Sequence, residues 1–302
     1  MSVEGRIFIV TGAGRGLGRA HALALAAAGA KVVVNDLGVS REGAPTDEDP
    51  GRQVVEEIRA AGGVAVANRD DITTWEGGGA VVSQAVATWG RLDGVVNNAG
   101  FLRDRMFVNA SLDEWQATMR IHLDGHFCVT RHATDHWRAR IKSGESAASV
   151  DARVINTTSG AGLFGSVGQA AYSTAKAGLI GLTLVQATEL ARYGVTANAI
   201  APAARTRMTE AAFAAAMKKP ESGFDAMAPE HVSPLVVLLA GTSGRDITGH
   251  VFEIQGGRVA VAEGWHSGPE HASEGPWLPG ELEAGVRAAL TRLRRPTPVY
   301  GA

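Results

Sequence analysis

One cysteine, Cys128, stands in 302 residues, so no internal disulfide can hold the fold and the chain suits a reducing compartment. A lone thiol of this kind reads as a small buried hydrophobe. An excess of one charge is also lacking, because 29 Lys and Arg against 31 Asp and Glu leave a net −2. Nothing electrostatic therefore recommends a nucleic acid or an anionic membrane as partner. Long apolar runs are missing too, since Lys31 cuts the alanine-rich stretch 22–30 far short of a bilayer. No basic segment followed by a hydrophobic signal core precedes residues 7–10, and the final Pro-Val-Tyr-Gly-Ala is no recognisable organelle address. These absences lead to the expectation of a cytoplasmic protein whose partner is a small molecule. What is present is core-forming material: 45% of residues are hydrophobic and 20% charged, enough to bury a full interior.

Apolar runs fit for buried strands fall at 6–11, 31–36, 64–67, 94–97, 153–158, 196–200 and 251–254. Helix-forming stretches lie between them at 17–28, 53–61, 74–89, 112–140 and 171–192, and from Pro229 to about 241. Ser111 with Glu114 reads as a capping box opening the longest of these, while the glycines at 77–79 weaken the third. Alternation of this kind predicts an α/β fold, a doubly wound parallel sheet of seven strands covered on both faces. We expect one domain over residues 1–257, including a substrate lid at about 203–228, and a C-terminal extension over 258–302 with a helix near 280–294.

Between the first strand and the first helix stands Thr11-Gly-Ala-Gly-Arg-Gly-Leu-Gly18. Gly12 permits a tight turn, Gly16 a close approach to a pyrophosphate, and Gly18 close packing of helix on strand, a Rossmann-type arrangement. Amides from Leu17 onward then face the phosphates with the helix dipole behind them. Asp36, closing Val-Val-Val-Asn-Asp, stands where a carboxylate binds both ribose hydroxyls of NAD and repels a 2′-phosphate. Arg15 pulls the other way, as a cation that can meet that phosphate. Asp36 is nearer the discriminating atom, and Asp47, Glu48 and Asp49 add negative charge to the same loop, so the expected cofactor is NAD.

Tyr172 and Lys176 are four apart on an expected helix and therefore share a face. A phenol with a pKa near ~10 is a poor base until a neighbouring ammonium stabilises its phenolate. By themselves the two read more readily as a surface pair on an amphipathic helix. Ser159, thirteen residues before Tyr172 and just past a strand, brings a hydroxyl to the same sheet edge, where folds of this class bind ligands.

With these residues together, the chain resembles the short-chain dehydrogenase/reductase family from about Gly5 to Gly257. The motifs are Thr11–Gly18, Asp71-Ile72, Asn97-Asn98-Ala99-Gly100, Ser159 with Tyr172 and Lys176, and Asn198-Ala-Ile-Ala-Pro202. The resemblance implies hydride transfer between a secondary alcohol and its ketone, with NAD as cofactor. It implies that Asp71 and Ile72 hold the adenine, that Asn98, Ala99 and Gly100 line the cofactor, and that Lys176 also holds the nicotinamide ribose. Pro202 then begins the segment against the carboxamide, although Ala203 replaces the usual glycine and leaves the carboxamide partners unassigned. It further implies a homodimer or homotetramer. His122 occupies a position where the family usually carries an asparagine that orders water, and a histidine there can pass the proton itself. Asn35-Asp-Leu-Gly38, Leu102-Arg-Asp-Arg105, His122-Leu-Asp-Gly-His-Phe127 and residues 54–63 and 228–240 are similar to the (3R)-hydroxyacyl-CoA dehydrogenase domains of type 2 peroxisomal multifunctional enzymes.

The substrate expected on that resemblance is a (3R)-3-hydroxyacyl-CoA or a similarly bulky apolar alcohol. Met208, Phe213, Met217, Phe224 and Met227 are candidates for the pocket wall, and Lys218 and Lys219 for the CoA phosphates. A steroid or xenobiotic alcohol is the alternative. A nucleotide-binding sensor without turnover is the alternative of another kind, though it has no need of a proton-transfer trio. His122/His126 and His132/His136 have a zinc-compatible spacing, but no carboxylate or cysteine completes a set, and no metal is expected.

Overall fold

The computed structural model describes residues 2–39, 48–206, 209–210, 214, 217–273, 276–277 and 279–292. Strand β1 (Ile7–Thr11) is buried at every position, as a parallel strand covered on both faces must be. Its alternate side chains feed two cores. Phe8 and Val10 join Val32 and Val34 on one face, while Ile7 and Ile9 join Val33 and Val95 on the other. Around it the chain builds α1 (Gly16–Ala27), β2 (Lys31–Asn35), α2 (Pro50–Ala60), β3 (Val64–Asn68), α3 (Trp75–Trp89) and β4 (Gly94–Asn97). Next come α4 (Leu112–Met119), α5 (Gly125–Lys142), a short α6 (Ala147–Val150), β5 (Ala152–Thr157), α7 (Gly160–Phe164), α8 (Ala170–Leu190) and β6 (Val195–Pro202). The chain then forms α9 (Ser233–Ala240), β7 (Val251–Gln255), β8 (Arg258–Val261) and α10 (Pro279–Thr291).

The strand order is β3-β2-β1-β4-β5-β6-β7-β8, so the chain reverses direction across the sheet between β1 and β4. Such a switch point leaves a crevice at the carboxyl ends of the strands, where open α/β sheets bind ligands. Among the described residues the sheet has eight strands where the sequence predicts seven. Beyond Gly256, whose φ of +51° suits the tight turn, the chain folds back and β8 pairs antiparallel with β7. All four β8 side chains are exposed, so no burial pattern marked this edge strand.

Two further departures bear on the site. The helix expected over 112–140 is broken by a π-helical turn, Arg120–Asp124, between α4 and α5. That wider turn rotates His122 inward, where it is 1% exposed. Conversely, α3 runs unbroken through its glycines. A Cβ on Gly77 would stand 2.0 Å from the Asp71 carbonyl oxygen and one on Gly78 2.7 Å from Cys128 Cβ. Close packing, of Gly77 on the segment before α3 and of Gly78 on α5, accounts for these glycines and outweighs their poor helix propensity. The capping box of Ser111 and Glu114 forms as expected. Trp137 is fully buried, with its indole N–H donating to the Leu92 carbonyl at 2.9 Å.

Candidate active site

The turn after β1 is shaped by what it must avoid. Gly12 has φ +61°, and a Cβ there would stand 2.7 Å from Ala99 Cα. A Cβ on Gly18 would stand 2.1 Å from the Gly12 carbonyl oxygen, so only glycine lets α1 start this close to the loop. Thr11 Oγ1 accepts the backbone N–H groups of Asn98 and Ala99 at 3.0 and 3.1 Å, while the Asn98 amide donates to the carbonyls of Thr11 and Gly12. The segment after β4 is thereby tied to the one after β1. Deeper in, Asn97 donates to Thr130 and Asn156, and Asn156 to Thr183 and Gln186, a buried amide chain fixing β4 and β5 against α5 and α8.

Asp36 is held at the crevice rim. Its carboxylate accepts the N–H of Gly14 at 2.8 Å and of Gly38 at 2.9 Å. A Cβ on Gly14 would come within 2.7 Å of that carboxylate, a requirement the sequence reading missed because it depends on β2 rather than on the loop. Arg15 forms an ion pair with Glu48.

At the other end of the crevice, Lys176 is 2% exposed and donates from Nζ to the Thr157 carbonyl at 2.6 Å. Burial lowers its pKa to about 7. Nζ lies 5.6 Å from the centroid of the Tyr172 ring, so the helical spacing does bring phenol and ammonium together. His122 meets that ring edge-on, with centroids 5.2 Å apart and planes at 79°. Its Nε2 is 2.9 Å from the Phe101 carbonyl, which can only accept, so Nε2 carries the hydrogen and the buried, unpartnered Nδ1 keeps its lone pair. Burial, with the charge of Lys176 adding to it, holds His122 well below the usual histidine range, and the ring is neutral. Gly100 makes room for it, since a Cβ there would stand 2.2 Å from His122 Cε1. Ser159 caps α7, its hydroxyl accepting from Ala161 N–H at 3.2 Å.

One cavity of about 510 Å³ connects these groups. Of the residues singled out in the sequence, Gly12, Arg15, Gly16, Leu17, Asp36, Asp71, Ile72, Asn98, Ala99, Gly100, His122, Ser159, Tyr172, Lys176 and Pro202 all line it. Gly18 does not, and packs beneath the loop instead. The structure adds Phe101, Arg103, Arg120 and Gln169 to the lining. Gln169, one turn before Tyr172, is 4% exposed and donates to both oxygens of Asp104 at 3.0 Å, clasping the loop after β4 to the start of α8. Of the expected apolar wall, Met217 is buried and lines the cavity, whereas Phe224 is 62% exposed. Met208 and Phe213 lie outside the described residues. Lys218 and Lys219 border a second, shallower hollow that shares Met217 with the first. The glycine cradle, the Asp36 carboxylate at the rim and the volume of the crevice fit a dinucleotide.

The sequence pattern of the short chain dehydrogenase family matches residues 6–216. A hydroxyacyl-CoA dehydrogenase of Mycobacterium tuberculosis, ChsB1, is 43% identical over 290 residues, covering 94% of this chain and 88% of its own length. The peroxisomal multifunctional enzyme type 2 of Mus musculus is 43% identical over 262 residues, 87% of this chain but 32% of that enzyme. A crystal structure of a short chain dehydrogenase from Mycobacterium avium superposes with a TM-score of 0.89 at 52% identity, covering both chains completely.

Proposed function

This chain belongs to the short chain dehydrogenase family, and we propose that it oxidises a (3R)-3-hydroxyacyl-CoA to its ketone with NAD. Membership makes it an oxidoreductase acting on CH–OH with a nicotinamide nucleotide. The observation that carries the finer reading is the single crevice joining a dinucleotide cradle, with Asp36 at its rim, to a phenol with a buried ammonium beneath it.

A bound nicotinamide would supply the acceptor for the hydride of the carbinol carbon. The protein's task is the proton. Tyr172 takes it from the substrate hydroxyl as general base. Lys176 favours the phenolate, and its second role is to hold the nicotinamide ribose. Ser159 donates its hydroxyl hydrogen to the substrate oxygen. His122 would take the proton from the Tyr172 and Lys176 region at Nδ1 and give it up to a water from the same nitrogen, because its Nε2–H stays on the Phe101 carbonyl. Gly12, Gly16 and Leu17 would cradle the pyrophosphate, with Gly18 beneath them letting α1 start close to the turn, while Asp71 and Ile72 would hold the adenine and Pro202 would face the carboxamide side. The relatives named as hydroxyacyl-CoA dehydrogenase and peroxisomal multifunctional enzyme type 2 support a thioester substrate. So does the place of Lys218 and Lys219 on a hollow next to the cavity, where two cations suit CoA phosphates. The exposed Leu184 and Val185 on α8 favour a homo-oligomer.

The relay has its own test. A neutral imidazole already depressed in pKa can pass a proton without storing it, whereas a leucine cannot pass one at all. His122→Leu is expected to lower kcat by on the order of tenfold or more with KM and melting temperature little changed, and His122→Asn to keep useful turnover by ordering water. Equal kcat in wild type and the leucine variant would leave His122 a packing residue.

The substrate reading is tested by kcat/KM for 3-hydroxyacyl-CoA thioesters of both hands against free alcohols and sterols, at low and moderate salt. We expect the 3R thioester to lead, by a margin that salt and the replacement of Lys218 and Lys219 both reduce. A sterol or simple alcohol turned over faster than every thioester overturns it.

A further inference from the structure

Discrimination between NAD and its 2′-phosphate depends on which charges face the ribose at the end of β2. A carboxylate there attracts the two hydroxyls, and an arginine there attracts the phosphate. This chain has both. Besides Asp36, two arginines bracket the loop that follows β2. Arg15 lines the cavity from the glycine turn. Arg69, directly after β3, lies beside Gly38, where a Cβ would stand 3.1 Å from its Nη2. Charge counting at this rim is therefore ambiguous, and Asp36 alone does not decide it.

The structure resolves the ambiguity through the two residues that lead into α2. Glu48 forms the ion pair with Arg15, and an Asp49 carboxylate oxygen stands 3.9 Å from Arg69. Asp49 is itself anchored, because it caps α2 by accepting the N–H of Arg52 at 2.9 Å. The segment is pressed onto the loop after β2: a Cβ on Gly38 would be 2.7 Å from the Glu48 carbonyl oxygen, and Gly38 has φ +71°. Glycine at 38 is thus what lets the acidic segment reach both arginines.

We infer that Glu48 and Asp49 are specificity-determining residues, which mask Arg15 and Arg69 and so deny a 2′-phosphate the cations that would hold it. This rests on the reading that NAD is the preferred cofactor. Asp36 supplies the direct repulsion, and the acidic pair removes the compensating attraction. Removing either carboxylate should therefore help NADPH specifically and leave NADH nearly unaffected.

The experiment measures dissociation constants of NADH and NADPH by fluorescence titration of the intact protein, without substrate. Wild type is expected to bind NADH more tightly. Glu48→Gln should tighten NADPH about fivefold, the size expected for freeing one partly exposed ion pair, with NADH changed less than twofold. Asp49→Asn, which keeps a capping side chain, should act in the same direction through Arg69. In an Asp36→Ala background the Glu48→Gln gain should grow, and in an Arg15→Gln background it should vanish, which assigns it to the masked guanidinium. All gains should shrink at high salt. A wild type that binds NADPH more tightly overturns the NAD reading itself. A wild type that prefers NADH, with the NADPH constants unmoved in Glu48→Gln and Asp49→Asn, overturns this inference alone.

Discussion

Tyr172→Phe is expected to lose on the order of three decades or more in turnover while binding the nicotinamide nucleotide as wild type does. The substitution removes one oxygen and leaves the ring in place. That ring is located by contacts the phenylalanine keeps, with His122 edge-on at 5.2 Å and Lys176 Nζ 5.6 Å from its centroid. No change of fold is therefore expected to confuse the result. What goes is the group proposed to exchange a proton with the substrate oxygen, and positioned general acid–base catalysis contributes ~10²–10⁴-fold. Ser159 can still donate to that oxygen, but an aliphatic hydroxyl is a far weaker acid than a phenol and does not replace it as proton acceptor. The loss should fall on kcat rather than on KM, because the proton moves only in the transition state. Single-turnover kinetics with NADH fluorescence, alongside the dissociation constant of NADH, separates the two. A phenylalanine enzyme retaining a tenth of the wild-type rate, with cofactor bound, removes Tyr172 from the role.

How far the site could be read beforehand depended on whether its logic was local. The glycine turn with Asp36, and the pairing of Tyr172 with Lys176, obey short-range rules of turn geometry and helical period, and each lands in the cavity where those rules placed it. Ser159 joined them because strand ends in such folds converge on one edge. Features that depend on a distant surface were not readable. Nothing in Arg-Ile-His-Leu-Asp announces a π turn, which is stable here because it buries His122 in the space that Gly100 leaves. What requires glycine at 14 is the Asp36 carboxylate just past β2, a partner 22 positions away. Gln169 sat in plain view beside Tyr172, yet its partner Asp104 is 65 positions away. The edge strand β8 escaped for the opposite reason, having no buried face to imprint a pattern. Lys176 is the sharpest case. A lysine on a helix ordinarily reads as solvated, and here it is almost wholly enclosed.

That enclosure has a thermodynamic consequence. Replacing Lys176 with methionine is expected to abolish turnover and, at the same time, to make the cofactor-free protein more stable. Burial lowers the ammonium's pKa from the ordinary 10.5 to about 7, which means the fold disfavours the charged form. In the unfolded chain the group keeps its ordinary value. Between about pH 7 and 10.5 the folded state therefore binds fewer protons than the unfolded one, and stability rises with pH across that window. Below about pH 7 the full cost applies, on the order of 5 kcal/mol at ~1.4 kcal/mol per unit. Methionine has a similar stem and no charge, so it escapes this cost. It gives up the 2.6 Å hydrogen bond to Thr157, which returns ~1–3 kcal/mol of the gain. The net expectation is a melting temperature several degrees above wild type at pH 6, with the difference shrinking steadily and reaching zero or reversing by pH 10.5. Denaturation of both proteins, free of cofactor, across that range measures it. A wild type at least as stable as the methionine variant at pH 6, or a difference that does not fall with pH, would mean that the lysine is solvated and not held under strain beneath Tyr172. The trend as expected would mean that the fold sacrifices stability to keep a cation where phenolate must form, the kind of local cost that active sites retain because the chemistry requires it.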